Sequence, residues 1–380
     1  MDPREAYVAL NMMEGVGPVS VQALVAALGA PQAIWQADRD ALLQAPGIGP
    51  GLADKILRQR ATIDPQQEIQ RAAKLGASLV TRADPAYPPW LTQIHDPPLA
   101  LYVMGELRPA DQRALAVVGT RHASIYGRET AARLSAQLAR AGWTVVSGLA
   151  RGIDTAAHEA ALTAGGRTIA VLGGGLAHVY PAENLPLARR IAGGQGAVLS
   201  EFPLDRVPDR TTFPMRNRIV SGLARGVLVI EAGRQSGALI TANQALEQGR
   251  GVMAVPGRVD SPASRGTHAL IKSGARLVED LDDILAEFEF LFPARPAQPA
   301  SSPAAPAAPA ALPDGLPDGL PDDERLILAA LREEEQDFDT LIRQTGIPAA
   351  RMNVLLLTME MKRLVKVLPG RLVMAARARV

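Results

Sequence analysis

Between residues 113 and 290 one pattern recurs, and it limits the fold more than any other feature. Short apolar runs alternate with longer stretches of helical period. The runs are Ala114-Leu-Ala-Val-Val118, Trp143-Thr-Val-Val146, Thr168-Ile-Ala-Val-Leu172, Gly196-Ala-Val-Leu199, Val227-Leu-Val-Ile230 and Val252-Met-Ala-Val255. Uncharged runs this short are strands covered on both faces, and segments such as Arg128 to Arg140 between them are helices. The alternation predicts an α/β fold with a doubly wound parallel sheet of the Rossmann type. Ligands of such sheets bind beyond the carboxyl ends of the strands. Here those ends carry Gly119-Thr120-Arg121, Ser147-Gly148, Gly173-Gly174-Gly175, Glu201 and Pro256-Gly257. Glycine allows close backbone approach, and helix N-termini attract anions.

Thr211-Thr-Phe-Pro-Met-Arg-Asn-Arg218 sharpens that expectation. Phe213-Pro214 suits the start of a helix, because Pro lacks an N–H that the first turn leaves unpaired. Arg216 and Arg218, with the amide of Asn217 between them, are unusual near a helix N-terminus, because cations oppose its dipole, so an anion is expected there.

Other ligands fit less well. The first strand is followed by Gly-Thr-Arg-His-Ala-Ser rather than Gly-x-Gly-x-x-Gly. The second ends in Val146-Ser-Gly with no acidic residue for a ribose hydroxyl, which argues against a dinucleotide cofactor. Gly148-Leu-Ala-Arg-Gly152 is no Walker motif. His95, His122, His158, His178 and His268 are scattered without metal spacing, and a chain without cysteine has no thiolate site. Asp154 and His158 lie one helical turn apart, which reads as an N-cap with a neighbour rather than a catalytic pair. Glu201 and Glu231 end strands that we read as neighbours; we read them as holding arginines such as Arg216 or Arg218 in place rather than as an acid and base. No cofactor and no catalytic group is expected.

The flanks differ in character. Residues 1–70 read as a small helical domain with a weak repeat, Gly15-Val-Gly-Pro18 and Gly47-Ile-Gly-Pro50. Residues 71–112 form a bridge with one strand, Ala77-Ser-Leu-Val80, leading to the 113–290 core. Residues 291–321 are a Pro/Ala-rich linker, and 322–380 hold three helices and a hairpin, a winged-helix shape. The formal net charge of the 380 residues is only +1, so any nucleic-acid site must come from local arginine clusters. Met1-Asp-Pro-Arg begins no signal pattern and no apolar run is long enough for a bilayer, so a cytoplasmic protein without membrane partners is expected.

Six blocks occur together and in order: Val117-Val-Gly-Thr-Arg121, Ser147-Gly-Leu-Ala-Arg-Gly-Ile-Asp-Thr-Ala-Ala-His158, Tyr180-Pro-Ala-Glu-Asn184, Phe213-Pro-Met-Arg-Asn-Arg-Ile219, Ser236-Gly-Ala-Leu-Ile-Thr-Ala242 and Gly266-Thr-His-Ala-Leu-Ile-Lys-Ser-Gly-Ala275. Over about residues 76–280 the chain resembles the bacterial DNA-processing protein A family (DprA, or Smf). The resemblance implies a homodimer that binds single-stranded DNA, protects it in natural transformation and loads the RecA recombinase onto it. The family's Gly-Ser-Arg motif falls on Gly119, Thr120 and Arg121, with Thr keeping the hydroxyl. Its Phe-Pro-x-Arg-Asn-Arg motif falls on Phe213, Arg216, Asn217 and Arg218. Ser147, Gly148, Arg151, Gly173, Gly174, Ser236 and Gly237 complete the expected DNA site. The helix carrying His268, Leu270 and Ile271 is the expected dimer contact. The winged-helix-like domain is expected to serve a protein contact or to bind duplex phosphate through Lys362, Arg363, Lys366 and Arg371. The alternative is a related nucleotide-hydrolysing, phosphoribohydrolase-like enzyme, but Glu231-Ala-Gly-Arg-Gln-Ser-Gly-Ala-Leu239 breaks the Gly-rich signature of those enzymes.

Overall fold

The structure is a computed structural model that describes residues 1–291, 321–331, 336–347, 349–362, 364–368 and 372–375. It divides into two compact units, Met1–Pro296 and Ala297–Val380. Most of the expected 291–321 linker lies outside the described residues.

The first unit opens with six helices: α1 (Pro3–Met12), α2 (Pro18–Leu28), α3 (Pro31–Gln36), α4 (Arg39–Leu43), α5 (Pro50–Gln59) and α6 (Pro65–Lys74). The sequence sets their starts. Asp2 and Glu5 form a capping box at α1, and the two Gly-x-Gly-Pro repeats place Gly17 and Gly49 as N-caps of α2 and α5. These helices share an apolar cluster built on Leu10, Leu24, Ile34, Leu42 and Ile56.

Next comes a nine-stranded sheet. Its strands are β1 (Ala77–Thr81), β2 (Ala100–Gly105), β3 (Ala114–Val118), β4 (Thr144–Ser147), β5 (Thr168–Val171), β6 (Gly196–Ser200), β7 (Gly226–Val229), β8 (Gly251–Ala254) and β9 (Arg276–Leu277), in the order β1-β2-β6-β5-β4-β3-β7-β8-β9. From β6 to β9 every pairing is parallel; β1, β2 and β6 pair antiparallel. The connecting helices are α7 (Ile125–Arg140), α8 (Ile153–Thr163), α9 (Leu185–Arg190), α10 (Thr212–Gly222), α11 (Gly237–Glu247), α12 (Arg265–Lys272) and α13 (Leu281–Leu291).

Strand alternation divides the core between the two faces. Ala114, Ala116 and Val118 pack with Ile219 and Val220 of α10 and Ala242 of α11, whereas Leu115 and Val117 pack with Leu134 and Leu138 of α7 and Ala157 of α8. The expected doubly wound core is thus present, widened by an antiparallel edge. Sequence reading missed β2 and the two-residue β9. The bridge is consequently part of the sheet rather than a tether. The helical region also docks on it: buried Glu68 of α6 accepts hydrogen bonds from the Tyr102 hydroxyl of β2 (3.0 Å) and the Leu204 N–H (2.9 Å).

The second unit holds α14 (Asp322–Ala330), β10 (Gln336–Asp337), α15 (Phe338–Thr345), α16 (Ala349–Met361), β11 (Val365–Leu368) and β12 (Leu372–Ala375), with sheet order β10-β12-β11. Ile327, Leu341, Met352, Met359 and Val373 form its core. This is the winged-helix arrangement.

His158 of α8 generates a prediction. It is fully buried, its Nδ1 lies 2.7 Å from the Thr168 hydroxyl, and burial lowers its pKa to about 3. The unfolded chain therefore takes up a proton near pH 6.5 that the folded chain refuses. This contribution to stability is complete above pH 6.5 and is lost as pH falls toward 3. Urea unfolding of wild type and His158→Gln should show the difference between them shrinking by about 2.3 kcal/mol from pH 6.5 to 4.5, since the unfolded imidazole is already half protonated at pH 6.5.

Candidate functional site

The chain runs outward from β3 to β6 and then returns to place β7 on the other side of β3. This reversal opens a cleft of about 610 Å³ at the carboxyl ends of the strands. The turn after β3 supplies Gly119, Thr120 and Arg121. The turn after β4 supplies Gly148 and Asp154, α10 supplies Phe213, Arg216 and Asn217, and the start of α11 supplies Ser236 and Gly237. Nine of the expected site residues therefore converge.

Arg216 organises this centre. Its buried guanidinium donates to the carbonyls of Gly148 (2.6 Å) and Val171, at the ends of β4 and β5. Gly148 permits the approach, since a Cβ there would lie 2.5 Å from Arg216 Nη2. Burial lowers the Arg216 pKa to about 10, Asp154 opposes that shift, and Arg121 adds to it. Arg216 thus stays cationic at neutral pH in a site that already holds Arg121. Asp154, pushed up by burial, is the second residue of α8 and caps nothing there; its carboxylate accepts from the Gly148 and Ala150 N–H groups at 3.1 and 3.3 Å. His158 points to Thr168 instead, so the expected N-cap pairing is corrected.

The dipole question raised by the arginines is answered locally. Asp209 accepts from the N–H groups of Thr211 and Thr212 at 2.7 and 3.0 Å, so a carboxylate already sits at the start of α10. Arg216 and Arg218 lie beyond its first turn and reach away from it.

Beside the cleft the Arg121 guanidinium lies 5.0 Å from the Phe213 ring centre, and the Tyr180 ring lies 5.8 Å from Phe213. Arg121 is exposed and Tyr180 is 46% exposed, which makes a cationic and aromatic ledge open to solvent. Arg151 borders it and is paired bidentately with Glu183 at 2.6 and 2.8 Å, both half-exposed. Sequence reading missed Tyr180 as a site residue; its place in the Tyr180-Pro-Ala-Glu-Asn184 block was the available signal. It also missed exposed Arg210 and His122, which line the cleft.

Several expectations need correction. Arg218 does not face the cleft: it is buried against Glu201 and pairs with Asp96 at 2.9 Å. Glu201 therefore holds an arginine as expected, but Glu231 does not; its carboxylate accepts from the Ser124 N–H (2.9 Å) at the start of α7. The two glutamates do not end neighbouring strands, because β5, β4 and β3 lie between β6 and β7. Ser147 is buried and donates to the Val117 carbonyl at 2.6 Å, tying β4 to β3. Gly173 and Gly174 make room for protein rather than ligand: a Cβ would lie 2.6 Å from the Phe213 ring or 2.8 Å from Pro208.

On α12, His268 lies 3.0 Å from the Gly257 carbonyl, Leu270 packs partly against its own core, and Ile271 is half-buried. In the second unit Lys362 pairs with Glu324 at 2.8 Å. Arg363 and Arg371 lie outside the described residues, as does the Lys366 side chain.

Comparisons accord with this geometry. A family model for DNA recombination-mediator protein A matches residues 78–289. Others for the DprA winged helix domain and a SAM-like helix-hairpin-helix tandem match 293–371 and 8–61. The chain is 42% identical over 292 residues to Protein Smf of Escherichia coli (strain K12), covering 77% of this chain and 76% of that one. It is 39% identical over 261 residues to DNA processing protein DprA of Bacillus subtilis (strain 168), covering 67% and 88%. The X-ray structure of DprA from Streptococcus pneumoniae aligns with a TM-score of 0.66 at 35% identity, over 76% of this chain and all (100%) of that one. A Helicobacter pylori DNA processing protein A, whose structure concerns its single-stranded DNA binding mode, aligns with a TM-score of 0.50 at 29% identity, over 55% and 95%.

The Arg218 pair gives a stability prediction. Arg218→Ala leaves Glu201 buried without its cation and should cost roughly 3–5 kcal/mol, whereas Arg218→Met with Glu201→Leu should recover most of that loss. Thermal melts of both variants beside wild type check this.

Proposed function

The chain belongs to the DNA recombination-mediator protein A family, and from that premise we propose that Arg121 and Arg216 hold the phosphates of single-stranded DNA along the carboxyl edge of the sheet. The observation that carries the site is their convergence in one cleft beside the Phe213–Tyr180 ledge. The exposed Arg121 guanidinium gives phosphate a planar, bidentate partner, buried Arg216 contributes positive potential beneath it, and the partly exposed Phe213 and Tyr180 rings give unstacked bases a surface. Both needs are met by a flexible single strand more readily than by a duplex, whose bases are already stacked. Gly119 and the Thr120 hydroxyl in the turn after β3, and Ser236 and Gly237 at the start of α11, line the same cleft and add polar groups to it.

The bound strand is passed to the RecA recombinase, a role drawn from the family resemblance. It needs no cofactor and no chemistry. Nucleotide hydrolysis, the alternative, needs a carboxylate able to act on a reacting atom; Asp154 lines the cleft, but its carboxylate is engaged by two backbone N–H groups. Among the described residues no helix is long and apolar enough to cross a membrane, and the proposed partners place the protein's work in the cytoplasm. We assign the modules, in chain order, as 1–70, 71–112 and 113–290, then a 291–321 linker and 322–380.

The proposed dimer forms through α12 around half-buried Ile271, which supplies an apolar centre for a two-fold contact. Ile271→Glu should give a folded monomer. Sedimentation and circular dichroism decide this, and an intact dimer would remove Ile271 from the interface.

Arg121→Ala should weaken single-stranded DNA binding by roughly 1.5–3 kcal/mol, or about 10- to 100-fold. The logarithmic salt slope should become shallower by about 0.7, one phosphate contact. Its melting temperature should match wild type, because Arg121 has no carboxylate partner among the described residues. Fluorescence anisotropy at several salt concentrations, with a melt on the same sample, tests both; a lowered melting point with unchanged affinity would overturn the assignment.

A further inference from the structure

The opposite pole of the sheet carries a second arginine array that the DNA reading leaves unused. The residue just before each of five successive parallel strands is Arg167 (β5), Trp143 (β4), Arg113 (β3), Arg225 (β7) and Arg250 (β8). At about 4.8 Å per strand this row spans roughly 19 Å. It is bound together by aromatic faces. Arg113 and Arg225 lie 5.0 and 6.0 Å from the Trp143 ring centre, and Arg225 and Arg250 lie 5.8 and 4.6 Å from that of Trp90.

Carboxylates are scarce there. Arg167 is paired with Asp111 at 2.8 Å, and Asp111 also accepts from the Thr144 hydroxyl; Glu106 is taken by Arg108. Among the described residues Arg113 and Arg250 have no carboxylate partner. Arg250 donates instead to the Trp90 carbonyl (3.0 Å) and Gln93, and its buried Nε has no acceptor. Burial and the neighbouring Arg113 charge hold Arg225 below the usual arginine range. The ends of α10 and α11 face this pole, and cations complement their dipoles. That accounts for positive charge in general. It does not account for the side-chain bonds of Arg250, which go to the Trp90 carbonyl and Gln93.

Next to the row is a half-open apolar cavity of about 240 Å³, walled by Tyr87, Trp90, Leu107, Pro109, Ile169 and Leu223. Trp90 belongs to both, and the Arg225 side chain bonds to the carbonyl of Gln112, which also lines the cavity. The cavity has room for one bulky apolar side chain, and next to it the row offers a positive track whose exposed member, Arg113, has no carboxylate partner among the described residues. We propose that this pole is a docking site for an acidic peptide segment of a partner protein, anchored by one aromatic or large aliphatic side chain in the cavity, with its carboxylates at Arg113. A nucleic-acid strand would use the charges but has no aliphatic or side-chain anchor for a wall of prolines and leucines. Charge complementarity and the apolar seat together select the peptide.

The test titrates the full chain calorimetrically with a synthetic peptide of four aspartates followed by phenylalanine. The expected dissociation constant lies between about 10 μM and 1 mM. Exposed Arg113 and exposed Ala86, which borders the cavity, offer two independent variants. Arg113→Glu removes track charge and Ala86→Trp obstructs the seat. Each should weaken the peptide at least about tenfold, a loss of about 1.4 kcal/mol, while single-stranded DNA affinity stays within a few fold. Loss of cleft DNA binding by Arg121→Ala should leave peptide binding intact, so this inference and the DNA site stand or fall separately. No heat at about 1 mM peptide, or equal affinity in wild type and both variants, overturns the proposal. Displacement of the peptide by oligothymidine, with that displacement weakened by Arg113→Glu, would make the pole a nucleic-acid contact and overturn it as well.

Discussion

The cleft depends on one buried cation. Arg216 leaves α10, crosses the ends of β4 and β5, and donates to two carbonyls that the parallel ladder leaves unpaired at its margin. It thereby fixes the helix to the strand ends and satisfies backbone that would otherwise face a ligand site unpaired. Desolvation makes that cation costly, and Asp154, one of whose oxygens also accepts from the Gly148 and Ala150 amides, offsets only part of it. A site built this way carries residual positive potential from the fold itself, before any exposed residue contributes.

The topology then determines what meets that potential. Because β3 and β7 are adjacent while the chain between them visits β4, β5 and β6, the turn after β3 and the start of α11 diverge at the strand ends. Gly152, at φ +77°, lets the β4 turn lie against the Thr120 carbonyl, where a Cβ would come within 2.4 Å, so the two loops pack as one wall. Arg121 is carried on that wall and comes to rest over Phe213 from α10. Convergence of residues nearly one hundred positions apart in sequence follows from strand order, not from local propensity.

Much of this was legible before any coordinates. The six core strands were readable because doubly buried strands admit no charge, and Phe213-Pro214 marked the start of α10 correctly. β2 was missed because Pro97-Pro98 before it reads as turn, although Ala100-Leu-Tyr-Val-Met104 has strand character. At the site, Arg121, Arg216 and Asn217 were nominated together with Arg218, yet only the first three line the cleft. Arg216 and Arg218 differ by two helical positions, about 200° of rotation, so they must face different surroundings. Sequence shows both as arginines in one motif; the partners Glu201 and Asp96, distant in the chain, decide which one is structural. Gly173 and Gly174 were misread for a related reason. A glycine at a strand end signals close approach but not whether ligand, ring or backbone makes it.

The arginines sort by what holds them, and the sorting separates support from recognition. Arg218, Arg167 and Arg151 are held by carboxylates, which neutralise the charge and use its directed donors. Arg121 and Arg113 are held over aromatic faces. A ring face positions a guanidinium through its quadrupole, at a cost of none of the five in-plane N–H donors. The charge remains, the side chain is pre-ordered, and the donors stay in the plane where a phosphate or carboxylate would meet them. Ordering that is complete before binding is not subtracted from affinity later. In a chain with a net charge of only +1, this is how local recognition of anions arises without a basic surface: the placement of Phe213 and Trp143, as much as the number of arginines, decides where positive charge is available.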